Sequence, residues 1–339
     1  MRKDLAKIPI YQPISEDFLN LATNENFSIN YEDITELSLG KIVKNTPFHQ
    51  YGQSRHIELL EKYATYLNVL PEQLLPAPGS ESLIAVLLNS LVTDTLLTFD
   101  VDFFRYSEVA YILGKNHLRV PIVDGVKGLI EVAKDSCVQL IMLSNPNNPL
   151  GIAHSQQELI ALLDATECYV VIDEAYSEYY GKSLVQFIEK YPKLIVLKTM
   201  SKAWGLARLR VGFMVANAEL IRFVTAIQGP FVLSDLNANL AAYTLKKEVA
   251  MREAVEETKN NRANFVQFLQ AYDVYVYPSE ANFVYVKTNK AKQIVDALFE
   301  DKIIVLLMPD GLRITIGTQE QMEILKMKLA KYLPKIRAK

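Results

Sequence analysis

The chain has little of what several common architectures require. Its two cysteines, Cys137 and Cys168, lie beside or within apolar segments, which speaks for reduced core thiols and against a disulfide framework, and no zinc-ligand spacing occurs. There is no basic surplus. The 36 Lys and Arg against 39 Asp and Glu leave a formal net charge of −3, where a nucleic-acid binder carries a basic excess or stripe. No apolar run reaches the roughly 18 residues of a membrane span, and Met1–Pro9 lacks the unbroken apolar stretch of a signal peptide. Repeats, low-complexity tracts and long linkers are missing too. The expectation is a soluble, cytoplasmic protein, half apolar, long enough at 339 residues for a large core and about two domains. Any anion it binds has to be met by a local site.

Between about residues 80 and 230, short apolar runs alternate with helical patterns. Strands are expected at Thr95 to Phe99, Val138 to Leu143, Tyr169 to Asp173, Leu194 to Lys198 and Val211 to Ala216, each compact enough to be buried on both faces. Ser155-Gln156-Gln157-Glu158 reads as a capping box ahead of an apolar helical set. Strands alternating with helices imply a mainly parallel sheet covered on both faces. After about residue 235 the pattern changes to a long charged helix, roughly Asn237 to Tyr272. Shorter runs follow at Asn282 to Val286, Ile303 to Leu307 and Leu312 to Ile316, with helices near 290–300 and 319–333. The expected division is an N-terminal arm (1–40) joining a small α+β domain (236–339), and a large domain (41–235). Open parallel sheets bind ligands beyond the carboxyl ends of their strands. Asp173, Lys202 and the Asn147-Asn148 pair all fall there.

Lys202 sits in Leu197-Lys198-Thr199-Met200-Ser201-Lys202-Ala203-Trp204-Gly205-Leu206-Ala207-Arg208-Leu209-Arg210, between hydroxyls and arginines just past an apolar run. An amine attacks an aldehyde only when deprotonated, and burial and nearby cations both lower a lysine pKa. Alone, the segment suits a solvated loop equally well; its partners decide. Pyridoxal 5′-phosphate (PLP) chemistry needs a lysine, an anion beside the pyridine nitrogen, donors to the phenolic oxygen, a phosphate cradle and an aromatic face. Asp173, ending an apolar strand, supplies the anion, against the plainer reading of a helix cap. Asn148, in Ser144-Asn145-Pro146-Asn147-Asn148-Pro149-Leu150-Gly151, and Tyr176 supply donors, against an ordinary Asn-Pro turn. Gly79-Ser80-Glu81, opening the apolar helix Leu83 to Val92, offers free N–H groups to a phosphate, with Thr199, Ser201 and Arg210 opposite. Phe103 or Phe104 offers the aromatic face, against simple core packing.

These residues resemble, over almost the whole chain, the fold-type I PLP-dependent enzymes, in particular the class I/II aminotransferases of the histidinol-phosphate aminotransferase branch. The most specific pieces are Asn-Pro-Asn-Asn-Pro-Leu-Gly, Ile-Asp-Glu-Ala-Tyr, Ser201-Lys202 with Arg210 eight residues on, and Leu312-Arg313-Ile314-Thr315-Ile316-Gly317. The resemblance implies an α/β fold, a mainly parallel large domain with a smaller α+β domain, and PLP as cofactor. It implies Lys202 as the Schiff-base lysine and Asp173 as partner of the pyridine nitrogen. Asn148 and Tyr176 would meet the phenolic oxygen, and Phe103 the ring. Ser80, Glu81, Thr199, Ser201 and Arg210 would hold the phosphate. Arg313 would bind a substrate carboxylate or phosphate, since a planar guanidinium serves either. Tyr51 resembles the tyrosine that reaches the neighbouring subunit's cofactor phosphate, which implies a homodimer. Tyr11, Asn24 and Glu25 resemble the branch's substrate-covering arm.

Departures fall where substrate choice is made. Phe27 replaces a proline after Asn-Glu-Asn, Ser82 an acidic residue, and Arg208 a glycine. Leu306 stands where this branch has an arginine that grips a substrate phosphate, which speaks against a phosphorylated substrate unless Arg208 or another cation compensates. The resulting expectation is an aminotransferase moving an amino group from an amino acid or an amino-alcohol phosphate, histidinol-phosphate-like, to a 2-oxo acid such as 2-oxoglutarate, with no metal. The alternatives are an aminotransferase for a non-phosphorylated aromatic amino acid, a decarboxylase of the threonine-phosphate type, and a PLP-binding regulator, which would need a basic region this chain lacks.

Overall fold

The structure is a computed structural model that describes residues 5, 8, 17–29, 31–52, 56–135 and 137–333, apart from the side chains of 32–38. Its strands are β1 (Leu19–Asn20), β2 (Leu74–Pro78), β3 (Thr95–Phe99), β4 (Asn116–Val120), β5 (Leu140–Ser144), β6 (Tyr169–Asp173), β7 (Leu194–Thr199) and β8 (Val211–Val215). They continue with β9 (Phe283–Lys287), β10 (Ile303–Ile304), β11 (Leu306–Met308) and β12 (Gly311–Thr315). Seven of them form one sheet in the order β2-β8-β7-β6-β5-β3-β4, in which β8 alone runs against its neighbours.

The apolar runs of the central strands follow from covering both faces. Leu143, Ile172 and Val196 point into one core, under the helices Ile57–Leu67 and Gln156–Ala165. Met142, Val171 and Ile195, one residue earlier, point into the other, under Ser80–Leu91 and Phe104–Leu113. This is the period-2 alternation of a doubly covered strand. The five strands expected in this region are present within two residues at each end. Two more, β2 and β4, escaped the sequence reading, and both are edges: β2 carries Pro76 and Pro78, and β4 reads Asn-His-Leu-Arg-Val and is half-exposed. A proline that cannot donate to a ladder is tolerated at an edge.

The remaining strands make a three-stranded antiparallel sheet, β11-β12-β9, and a parallel pair, β1-β10, over a third core that includes Leu21, Phe265, Val284, Ile303 and Ile314. The expected run at Ile303 to Leu307 is thus two strands with different partners, hinged at buried Val305. The expected helix near Asn237 to Tyr272 is also two, Asp235–Thr244 and Glu248–Gln270, joined by the tight turn Leu245–Lys247. Helix Glu248–Gln270 packs Met251 and Val255 into the core beside the large sheet and Phe265 and Leu269 into the third core. The expected capping box forms, with Ser155 Oγ accepting from the Glu158 amide, and a second one opens the last helix, where Thr318 Oγ1 accepts from the amide of Gln321. Among the described residues, no helix is long and apolar enough to cross a membrane.

The reversal of β8 has a local consequence. β8 enters the sheet at the edge where the parallel strands leave it, so Arg210, just before β8, faces the residues just after β2 and β7. The Gly79–Ser80 turn folds down onto β8 at Gly212, where a Cβ would lie 2.6 Å from Gly79 C and closer still to Ser80 N. Neither neighbour can yield, because both are backbone. Gly212→Ala is therefore expected to lower the unfolding free energy by about 1–3 kcal/mol, the usual cost of overpacking, measured by denaturant titration.

Candidate active site

Beyond the carboxyl ends of β2, β3, β5, β6 and β7 lies a cavity of about 550 Å³, closed on its far side by the three-stranded sheet and by residues 23–25. The structure brings thirteen of the fifteen expected site residues into its lining: Ser80, Glu81, Phe103, Asn148, Asp173, Tyr176, Thr199, Ser201, Lys202, Arg210, Arg313, Asn24 and Glu25. Tyr51 is elsewhere. It stacks on Phe231 with centroids 4.6 Å apart, exposed at the mouth of a second, more open cavity. Tyr11 lies outside the described residues.

Lys202 follows β7 in a tight turn pinned from beneath by Met200, Ala203 and Trp204, all fully buried. The turn closes through Gly205 N–H to the Lys202 carbonyl (2.9 Å) and Leu206 N–H to that of Met200 (2.9 Å). The Lys202 amine donates to the Thr23 carbonyl at 2.8 Å. Burial, then the Arg313 guanidinium, pushes its pKa down to about 7. A useful fraction of the amine is therefore neutral at physiological pH.

Asp173 ends β6. Its carboxylate accepts from Tyr106 Oη (3.0 Å) and the Ala175 amide (3.2 Å). Burial pushes its pKa up to about 6, against these two donors and the nearby Lys198 and Lys202 cations. A protonated ring nitrogen would give the carboxylate a positive partner in direct contact. A second carboxylate, Asp102, lies in the same lining, receiving bonds from the Ser144 hydroxyl and the Phe103 amide (2.8 Å). Burial pushes it up to about 8. Burial raises both carboxyls, Asp102 the further of the two, and the charge of Asp173 adds to the rise at Asp102. The sequence reading missed Asp102, Ser144 and Tyr106, although Asp102 follows β3 as Asn148 follows β5, and that placement alone singles it out.

The Asn-Pro loop divides its labour. Asn145 bonds the backbone of His154 in both directions, and Asn147 bonds the Val101 carbonyl and the Leu150 amide, so both hold the loop. Asn148 faces the cavity. Its Oδ1 accepts from Arg313 at 2.6 Å, and because a guanidinium only donates, the amide is oriented with Nδ2 left to donate elsewhere. Arg313 also donates to the Ala22 carbonyl at 2.5 Å, and burial lowers its pKa. Its Nε is buried without a partner, a donor held ready for a ligand. The Tyr176 hydroxyl accepts from Asn24 Nδ2 at 2.9 Å, which frees its own proton.

At the other end, helix Ser80–Leu91 aims its free amides into the cavity. Gly79, at φ +80°, has no Cβ where one would lie 2.5 Å from the Arg210 guanidinium, so that cation can close over the helix start. Ser201 Oγ accepts from Arg210 at 3.5 Å, and the Ser201 amide donates to Thr199 Oγ1 at 3.1 Å. Amides, hydroxyls and one guanidinium converge as a phosphate cradle requires. The Glu81 carboxylate is turned to Arg105 (2.7 Å), so the amide of Glu81 is the group available to an anion. Phe103 packs edge-to-face on Tyr106 and Phe104 in the cavity lining. The cavity therefore fits a flat, phosphate-bearing aldehyde with a protonatable ring.

Comparison with known proteins agrees. Residues 16–329 match the family described as aminotransferase class I and II. A histidinol-phosphate aminotransferase of Clostridium kluyveri is 30% identical over 96% of both chains. Among solved structures, the histidinol-phosphate aminotransferase of Sinorhizobium meliloti with bound pyridoxal-5′-phosphate superposes with a TM-score of 0.84 at 22% identity, covering 94% of this chain and 90% of the other. The L-threonine-O-3-phosphate decarboxylase of Porphyromonas gingivalis gives 0.76 at 20%, covering 93% and 99%. These two share the fold. With the family match running through nearly all of the described residues, this chain belongs to the class I and II aminotransferases, enzymes that depend on pyridoxal 5′-phosphate.

Proposed function

We propose that the chain transfers an amino group from an amino acid, or from an amino-alcohol phosphate of the histidinol-phosphate kind, to a 2-oxo acid. One observation carries this reading: a lysine amine held near pKa 7 shares a cavity with a buried carboxylate and with a buried arginine aimed at the same space.

When bound, PLP supplies an aldehyde and an electron-withdrawing ring. Lys202 would hold the aldehyde and, as a neutral amine, would move the proton at the donor's α-carbon. Asp173 would pair with the protonated ring nitrogen. Asn148 Nδ2 and the Tyr176 hydroxyl would donate to the phenolic oxygen, and Phe103 would meet the ring. Thr199, Ser201, Arg210 and the amides of Ser80 and Glu81 would hold the phosphate. Arg313 takes the anionic group beside the reacting carbon, and Asn24 closes that end. Tyr51 reaches toward a second copy of the chain. In support, Phe48, Tyr51 and Phe231 are 68%, 76% and 58% exposed together, an apolar patch that a homodimer would cover.

Only the neutral amine attacks an aldehyde, and Lys202 loses its proton as pH rises through about 7. Uptake of PLP by the cofactor-free protein should therefore accelerate with pH and level off above about pH 8. A lysine of ordinary pKa, about 10.4, would keep accelerating beyond pH 9. Stopped-flow absorbance separates the two, and Lys202→Ala should form no lysine-bound visible band. Incubation with a donor and a 2-oxo acid should yield the new amino acid without carbon dioxide; carbon dioxide release without amino transfer would replace this reading by decarboxylation. Sedimentation should give twice the chain mass, and Tyr51→Ala should weaken PLP retention on dialysis.

A further inference from the structure

The two walls of the cavity differ in chemistry. The wall on the seven-stranded sheet carries the groups assigned above to the cofactor. On the opposite wall, β11 pairs with β12 so that Leu306 stands directly across from Arg313. Directly opposed residues of an antiparallel pair project from the same face with Cβ atoms roughly 4.5–5.5 Å apart, and residues two apart share that face. Met308 therefore stands on the face of Leu306 and Arg313, and all three line the cavity. Whatever places an anion on Arg313 lays its remainder along an apolar ridge. Leu306 is 36% exposed, surface that a ligand would take out of water.

Charge points the same way. Among the described lining residues the cations are Lys202, Arg210 and Arg313. Lys202 serves the aldehyde and Arg210 the cofactor phosphate, so one guanidinium remains, matched to one carboxylate. A second anion on the substrate, whether phosphate or side-chain carboxylate, would face Leu306, Met308 and the carboxylate of Glu25. Among the described lining residues no further cation offsets the desolvation of a charge there. Donor and acceptor enter the same cavity in turn, so the restriction applies to both.

We propose that both substrates carry a single anionic group, the carboxylate beside the reacting carbon, and an apolar side chain. The donor is an α-amino acid of the leucine or phenylalanine class and the acceptor a 2-oxo acid of the same class, in place of an amino-alcohol phosphate or a 2-oxo dicarboxylate. The exchange balances without an external oxidant: the donor gives up its amino nitrogen and α-hydrogen and gains a carbonyl oxygen, and the acceptor undergoes the reverse. This inference rests on the aminotransferase reading for its chemistry but not for its binding preference.

The test uses the holoenzyme in two ways. Loss of the visible cofactor band in single turnovers should be faster with phenylalanine or leucine than with histidinol phosphate or glutamate, by about 100-fold, the scale on which pockets discriminate. Calorimetry with unreactive 3-phenylpropionate and glutarate should show the former binding at least about tenfold more tightly. Leu306→Arg should reverse the order for glutamate and histidinol phosphate. A wild-type preference for histidinol phosphate or glutamate overturns the proposal. Silence with every donor would count against amino transfer instead; the calorimetric comparison would still decide the side-chain class, since it needs no turnover, and tighter glutarate overturns it.

Discussion

The guanidinium of Arg313 is the joint at which three separately built pieces of the chain meet. It projects from β12, bonds the Asn148 side chain after β5 and bonds the carbonyl of Ala22, while Asn24 two residues on bonds Thr315 of the same strand. A buried guanidinium is costly unless its donors are met, and a hydrogen bond involving a charged group contributes about 1.5–3 kcal/mol. One side chain thus touches the three-stranded sheet, the Asn-Pro loop and residues 22–24 together, and the Asn24–Thr315 bonds reinforce it. The orientation of the Asn148 amide follows from that joint.

The polar floor of the cavity follows a second rule, that buried carboxyls are set apart by the charges around them. Asp102 and Asp173 lie in one lining and burial raises both, to about 8 and about 6. The nearby Lys198 and Lys202 cations ease the ionisation of Asp173, whereas the charge of Asp173 opposes that of Asp102. Negative charge is thus favoured at Asp173, where a ring nitrogen could meet it. Lys198 itself follows the opposite course: burial alone would depress it, but Glu178 and Glu174 outweigh that and raise it, so it stays a cation in a closed ion-pair cluster.

Much of this arrangement is legible in the residues themselves. Lys202, Asp173 and Asn148 each sit just past, or at the end of, a strand whose unbroken apolar run marks double burial, and a parallel sheet gathers such ends along one edge. Legibility fails where that signal fails. β2 and β4 are edges, so one carries prolines and the other polar residues. The break at Leu245–Lys247 contains neither glycine nor proline to announce it. Thr23 meets Lys202 through its backbone carbonyl, which no side-chain pattern encodes. Tyr106 reads as helix interior because its ring is core; only its hydroxyl reaches Asp173. Tyr51 has a pattern, but within one chain its ring stacks on Phe231, away from the cavity that holds the other site residues.

Trp204 is the sole tryptophan, two residues from Lys202, fully buried, edge-on to Tyr66 and with its carbonyl bonded by Tyr31. Packing demands a large rigid anchor under the lysine turn, and the same choice gives the protein an optical property. All of its indole emission originates from one fixed point beside the reactive amine, so a chromophore seated at Lys202 drains that emission by energy transfer while the rest of the fold contributes no tryptophan background.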